Sequence, residues 1–170
     1  YNSKRIVTLL LMMIVGFCVA TSLIITHTSA SLVYVIPFAL LPIIISTFFD
    51  TRTALYANYI TIFISSLVVP SPFEFVLLQA TAGMVTISSL RDLSQRSQLI
   101  RTAIIIFFTY CLFFLGYGLT SDSSIFEVNW ITFVFFLING ILLLFAYPFI
   151  YIIEQIFGFI SNVRLIELSD

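Results

Sequence analysis

Six apolar stretches, at residues 6–25, 32–49, 53–69, 73–90, 102–119 and 130–153, take up most of this 170-residue chain. Short polar joints separate them. Each stretch approaches or exceeds the ~17–25 residues that a helix needs to cross the hydrocarbon of a bilayer. Their near-continuous Leu, Ile, Phe and Val lack the strict inside–outside alternation of ~10-residue barrel strands. The expected fold is therefore all-α, a polytopic membrane bundle of six transmembrane helices.

The joints give the threading a direction. Lys4, Arg5, Arg52, Arg91, Arg96, Arg101 and Arg164 are the seven basic residues of the chain, and six crossings put them all on one side. The joints at 26–31, 70–73 and 120–129 contain no Lys or Arg. Cationic loops are retained in the cytoplasm, so both termini are expected there. Asp122, Glu127 and Trp130 then form an outer loop with an interfacial aromatic anchor.

Composition agrees, with 61% hydrophobic and 9% charged residues against about 25% charged in an average soluble domain. Mean hydropathy is +1.15. The net charge of −1 adds nothing; its placement does. Arg91, Arg96 and Arg101 recur every five residues, so they do not line one helical face. They suit lipid headgroups and topology control, or a docking surface for a cytoplasmic domain, and not a nucleic-acid groove. Cys18 and Cys111 lie inside apolar runs and read as small fillers rather than a disulfide or metal site.

Within the runs, a few residues break the apolar monotony. Pro37 and Pro42 should kink or open the second helix, and neighbours must then satisfy its freed carbonyls, which places it inside the bundle. The same break could present backbone to a ligand. Asp50 or Thr51 should cap the third helix beside a snorkelling Arg52, with a proton-relay role for Asp50 as the alternative. Asn58, Thr61 and Ser65 recur at helical spacing, as do Gln79, Gly83 and Thr86. These stripes make either a packing seam with interhelical hydrogen bonds or a polar pocket. Glu74 complements a helix dipole or senses an external cation, and His27 is a solvated interfacial residue or a reporter of external pH. The last run is longer than a span. Asn139 and Gly140 fall at mid-membrane and Pro148 near the inner end, and an amphipathic exit segment is expected to bend at Gly158.

Catalytic chemistry is not indicated. Metal-dependent hydrolysis needs convergent His, Asp or Glu ligands, and here the single histidine and four aspartates are scattered. There is no Gly-rich phosphate loop, nucleophile elbow or CxxC. This chain is read as a non-enzyme without a cofactor of its own.

The C-terminal third carries a more specific signal. Phe136-Leu137-Ile138-Asn139-Gly140, Tyr147-Pro148, Glu154-Gln155-Ile156-Phe157-Gly158 and Asn162-Val163-Arg164-Leu165-Ile166-Glu167-Leu168-Ser169-Asp170 resemble the seven-transmembrane receptor family with an intracellular HD hydrolase. The resemblance implies a bacterial inner-membrane module without the family's first helix, spanning 1–158, with 159–170 beginning a cytoplasmic linker. Tyr1 in place of Met and the polar end are read in the same sense, as a piece of a longer protein. That protein would add an extracellular domain and a metal-dependent HD phosphohydrolase resembling cyclic di-AMP phosphodiesterases. The divalent metal belongs to the HD domain. Partners are the lipid bilayer, those two domains and a second copy in a homo-oligomer, with no nucleic acid. Coupling to the enzyme is assigned to Arg91, Arg96, Arg101, Pro148, Gly158, Arg164 and Glu167. Two readings from other classes stay open. One is a six-helix binding component of a vitamin-type transporter, with Pro37, Pro42, Asn58 and Gln79 lining its pocket. The other is a cell-shape scaffold.

Overall fold

The first apolar run folds as one helix, α1 (Ser3–His27), and its stretch Val7–His27 is long and apolar enough to cross a bilayer. The second run breaks. In the computed structural model, which describes residues 3–89, 96–120 and 130–157, a 3-10 segment (Ala30–Val35) precedes α2 (Leu40–Phe48). Pro37 has no N–H to offer the Val33 carbonyl, which accepts instead from Ile36 N–H at 3.2 Å. This broken span is the most enclosed part of the molecule: Val33, Phe38, Leu41, Ile43, Ile44 and Ile45 are each at most 1% exposed. The two prolines do place it inside the bundle.

Asp50 caps α3 (Thr51–Ser66), its Oδ1 accepting the Thr53 N–H at 2.7 Å. Hydrogen bonds with the Thr53 side chain, and then with its backbone N–H, hold the Asp50 carboxyl below the usual carboxylate range. The neighbouring Arg52 guanidinium lies over the Tyr56 ring, 5.9 Å from its centroid. α4 (Pro72–Ser89) opens on a proline, whose missing N–H costs nothing at a first helical position. After it come α5 (Arg96–Thr120), α6 (Ile131–Leu143) and α7 (Ala146–Phe157).

Gly158, where a bend was expected, lies outside the described residues. Among the described residues a bend comes earlier, as α6 and α7 meet at 44° across a short break. Pro148, the third residue of α7, explains it. It cannot donate to the Leu144 carbonyl and its ring crowds that oxygen, so the helix parts just before it.

Among the described residues, three helical spans meet the length and apolarity needed to cross a membrane, or four when the bent α6–α7 pair counts as one. The 16 residues of α3 and 18 of α4 reach about 24 and 27 Å at 1.5 Å per residue, a little under the ~30 Å hydrocarbon thickness. The fold is thus an all-helical, multi-pass membrane bundle. α1 packs on α3 and on the 3-10 segment, and α3, α4, α5 and α6 follow as successive neighbours. α6 lies against the 3-10 segment and α7 against α2, so the last two helices clasp both halves of the broken span.

The bundle differs from a water-soluble protein in its exterior. Val7, Leu11 and Val15 on α1, Phe108 and Leu112 on α5, and Leu137 and Ile141 on α6 are exposed. Thr21, Asn58, Thr61, Gln79, Thr86, Thr132 and Asn139 are buried. An exterior this apolar finds its solvent in lipid tails.

Candidate functional site

Gln79, Tyr110 and Asn139, from three helices, meet beside the broken span. Asn139 of α6 donates both hydrogens of its amide, to the Tyr34 carbonyl at 3.0 Å and the Ile36 carbonyl at 2.9 Å. Those two oxygens flank the proline break, where the helical ladder no longer reaches them. One side chain therefore closes the gap that Pro37 opens. Asn139 is completely buried, and its Oδ1 has no direct partner among the described residues.

Tyr110 of α5 extends this cluster. Its hydroxyl donates to Gln79 Oε1 of α4 at 2.6 Å and neighbours Asn139. Its ring stacks on Phe136 of α6, with centroids 5.0 Å apart and planes within 5°. Phe136 also meets the edge of Tyr34 at 5.5 Å and of Phe114 at 5.6 Å. Above this layer, Glu74 in the first turn of α4 lies half-buried beside the Tyr34 hydroxyl. Tyr34 thus touches the aromatic layer with its ring, Glu74 with its hydroxyl and Asn139 with its carbonyl.

The two polar stripes of α3 and α4 are buried but make few bonds between helices. Thr61 donates to Ala57 and Thr86 to Ala82, each one turn back on its own helix, at 2.8 and 2.7 Å. Besides Gln79, which accepts from Tyr110, Ser65 reaches across to the Cys18 sulfur of α1 at 3.6 Å. Asn58 instead faces Gly83 across the α3–α4 seam, and a methyl group added at Gly83 would fall on the Asn58 amide. Gly83 therefore sets how closely these helices approach. Asn58 Nδ2 and Gln79 Nε2 are buried without a direct partner among the described residues. The sequence placed Asn139 at mid-membrane but gave no sign of its partners, which lie more than 100 positions away.

Cys18 and Cys111 are free thiols. Among the described residues, no three His, Cys, Asp or Glu side chains come together as a metal site. Of the coupling residues inferred from sequence, Arg101 is exposed on α5 and Pro148 is exposed at the start of α7. The backbone of Arg96 begins α5. Arg91, Gly158, Arg164 and Glu167 lie outside the described residues. α7 buries Glu154 together with Ala146, Ile150 and Ile153. That spacing of four, three and one residues is a helical face turned towards the bundle.

The family model described as "7TM receptor with intracellular HD hydrolase" matches residues 1–161. Neither a curated protein nor a solved structure matches the chain.

Proposed function

Since the chain belongs to the family of 7TM receptors with an intracellular HD hydrolase, we propose that it is the membrane-embedded regulatory module of a bacterial receptor-type phosphohydrolase. The tethered enzyme would hydrolyse cyclic di-AMP, the substrate that the family resemblance implies. The HD domain, not this chain, would hold the divalent metal. In this reading the module crosses the inner membrane six times with both ends in the cytoplasm. The support is the one-sided placement of its seven basic residues and the rule that such loops stay inside. Single cysteines placed between residues 91 and 101, with Cys18 and Cys111 replaced, should react with an impermeant maleimide only from the cytoplasmic face. Labelling of intact cells from outside would overturn the orientation.

The observation that carries the regulatory reading is the clasp. α6 is bonded to the outer half of the broken span through Asn139, and α7 packs on its inner half. A signal that changes the angle at Pro37 would move α6 and α7 relative to each other, and with them the segment leading to the enzyme. Arg91, Arg96, Arg101, Gly158, Arg164 and Glu167 would form the cytoplasmic coupling surface. Inserting two or three residues beside Ser161 rotates whatever follows by ~200–300° if the segment continues as a helix. The full-length protein carrying the insertion should keep basal cyclic di-AMP hydrolysis and lose its regulation. Regulated hydrolysis at the parental level would rule out transmission along this route.

A further inference from the structure

Two grooves on the lipid-facing side differ in what stands at their mouths. The first, of about 590 Å³, runs between α1 and the broken span, and every side chain lining it is apolar. Nothing there would select one lipid over another.

The second lies where α5, α6 and α7 meet. Its lower part, about 540 Å³, is bounded by Leu99, Ile100, Leu144, Tyr147, Pro148 and Tyr151. Its upper part, about 220 Å³, shares Ile100 and Leu144 and continues past Ile104 and Gly140 to Phe107 and Leu137. The two adjoin at these shared residues and together follow α5 for about 12 Å, from residue 100 to 108; they are called the channel below. It exists because Pro148 parts α7 from α6, leaving the first turns of α5 uncovered, and because Gly140 has no side chain to fill the upper end.

Chemistry at the two ends is unlike. The upper end is wholly apolar. The lower end carries the Tyr147 and Tyr151 phenols and lies near the positive end of the α5 dipole; Arg101 is outside its lining but exposed on the flank of α5, one turn before Ile104. A cation and two hydroxyls below an apolar slot match a phosphate above its acyl chain.

We propose that this channel binds one anionic phospholipid of the inner leaflet, its headgroup beside Arg101 and Tyr151 and one acyl chain along Ile104 and Leu137. The leaflet rests on the inward-facing termini proposed above, whereas binding itself does not. Occupancy would brace the α6–α7 bend, so membrane composition becomes an input to the clasp.

The test is native mass spectrometry of the delipidated full-length protein in detergent with dioleoyl phosphatidylglycerol or dioleoyl phosphatidylcholine. One phosphatidylglycerol should be retained saturably at concentrations where phosphatidylcholine is not. Arg101→Gln should weaken that retention about fivefold, the weight of one cation near an anionic surface. Ile104→Trp, at a half-exposed position lining the upper channel, should reduce retention of phosphatidylglycerol without unfolding the bundle. Equal retention of both lipids, or retention indifferent to both substitutions, would overturn the proposal. Because the assay has no inside or outside, maleimide labelling from the wrong face would refute the leaflet and leave the site standing.

Discussion

Replacing Phe136 with alanine should destabilise the bundle by about 2–3 kcal/mol. The residue is fully buried, with its ring packed against Tyr110, Tyr34, Phe114 and Phe133. In a membrane the transfer part of the usual Phe→Ala penalty falls away, since lipid tails are as apolar as the core. The void remains. About 100 Å³ of lost side chain, at roughly 24 cal/mol per Å³ of unrelaxed cavity, gives that figure. Phe136→Leu keeps most of the volume and should cost less than about 1.5 kcal/mol. Reversible unfolding in mixed micelles, or thermal unfolding in one detergent, would rank the two variants. If alanine and leucine proved equally mild, the aromatic layer would not be what joins the 3-10 segment, α5 and α6.

Asn139→Ala should come next, at about 1–3 kcal/mol, for a different reason. It removes two hydrogen bonds and strands the Tyr34 carbonyl, while the Ile36 carbonyl keeps the Phe38 N–H at 2.9 Å. An orphaned buried acceptor costs about 1–3 kcal/mol, yet interhelical bonds in membranes average only about 0.6 kcal/mol because the unfolded chain finds other partners. Here those partners are scarce, as the oxygens sit at a proline break, so the cost should exceed the average. The signature is a coupling. Pro37→Ala lets the helix run on and satisfy its own carbonyls, so it should shrink the Asn139→Ala penalty in a double-mutant cycle. Strict additivity of the two substitutions would show that the asparagine does not serve the break.

Much of this fold can be read in the chain, because lipid enforces simple rules. The six apolar runs, the opened second helix and the Asp50 cap all follow from backbone groups that must find partners locally. The break before Pro148 follows from a missing donor four residues downstream of Leu144, a local signal that the sequence does carry. The threonines of α3 and α4 were credited with bonds between helices, although a helical Thr hydroxyl reaches its own i−4 carbonyl more easily. Tyr110, Gln79 and Asn139 come from three helices, and no local pattern announces that they will meet. The hydrophobic code specifies which segments are buried but says little about which polar groups face one another.

The fixed 44° angle between α6 and α7 has a mechanical side. α7 is 12 residues long, about 18 Å, so tilting it by that angle from an upright neighbour carries its far tip about 12 Å sideways. A change of ten degrees at the elbow would shift the tip by some 2–3 Å. Anything tethered there would swing beneath the bilayer as on a short crank, converting a small rearrangement of two packed helices into a lateral stroke.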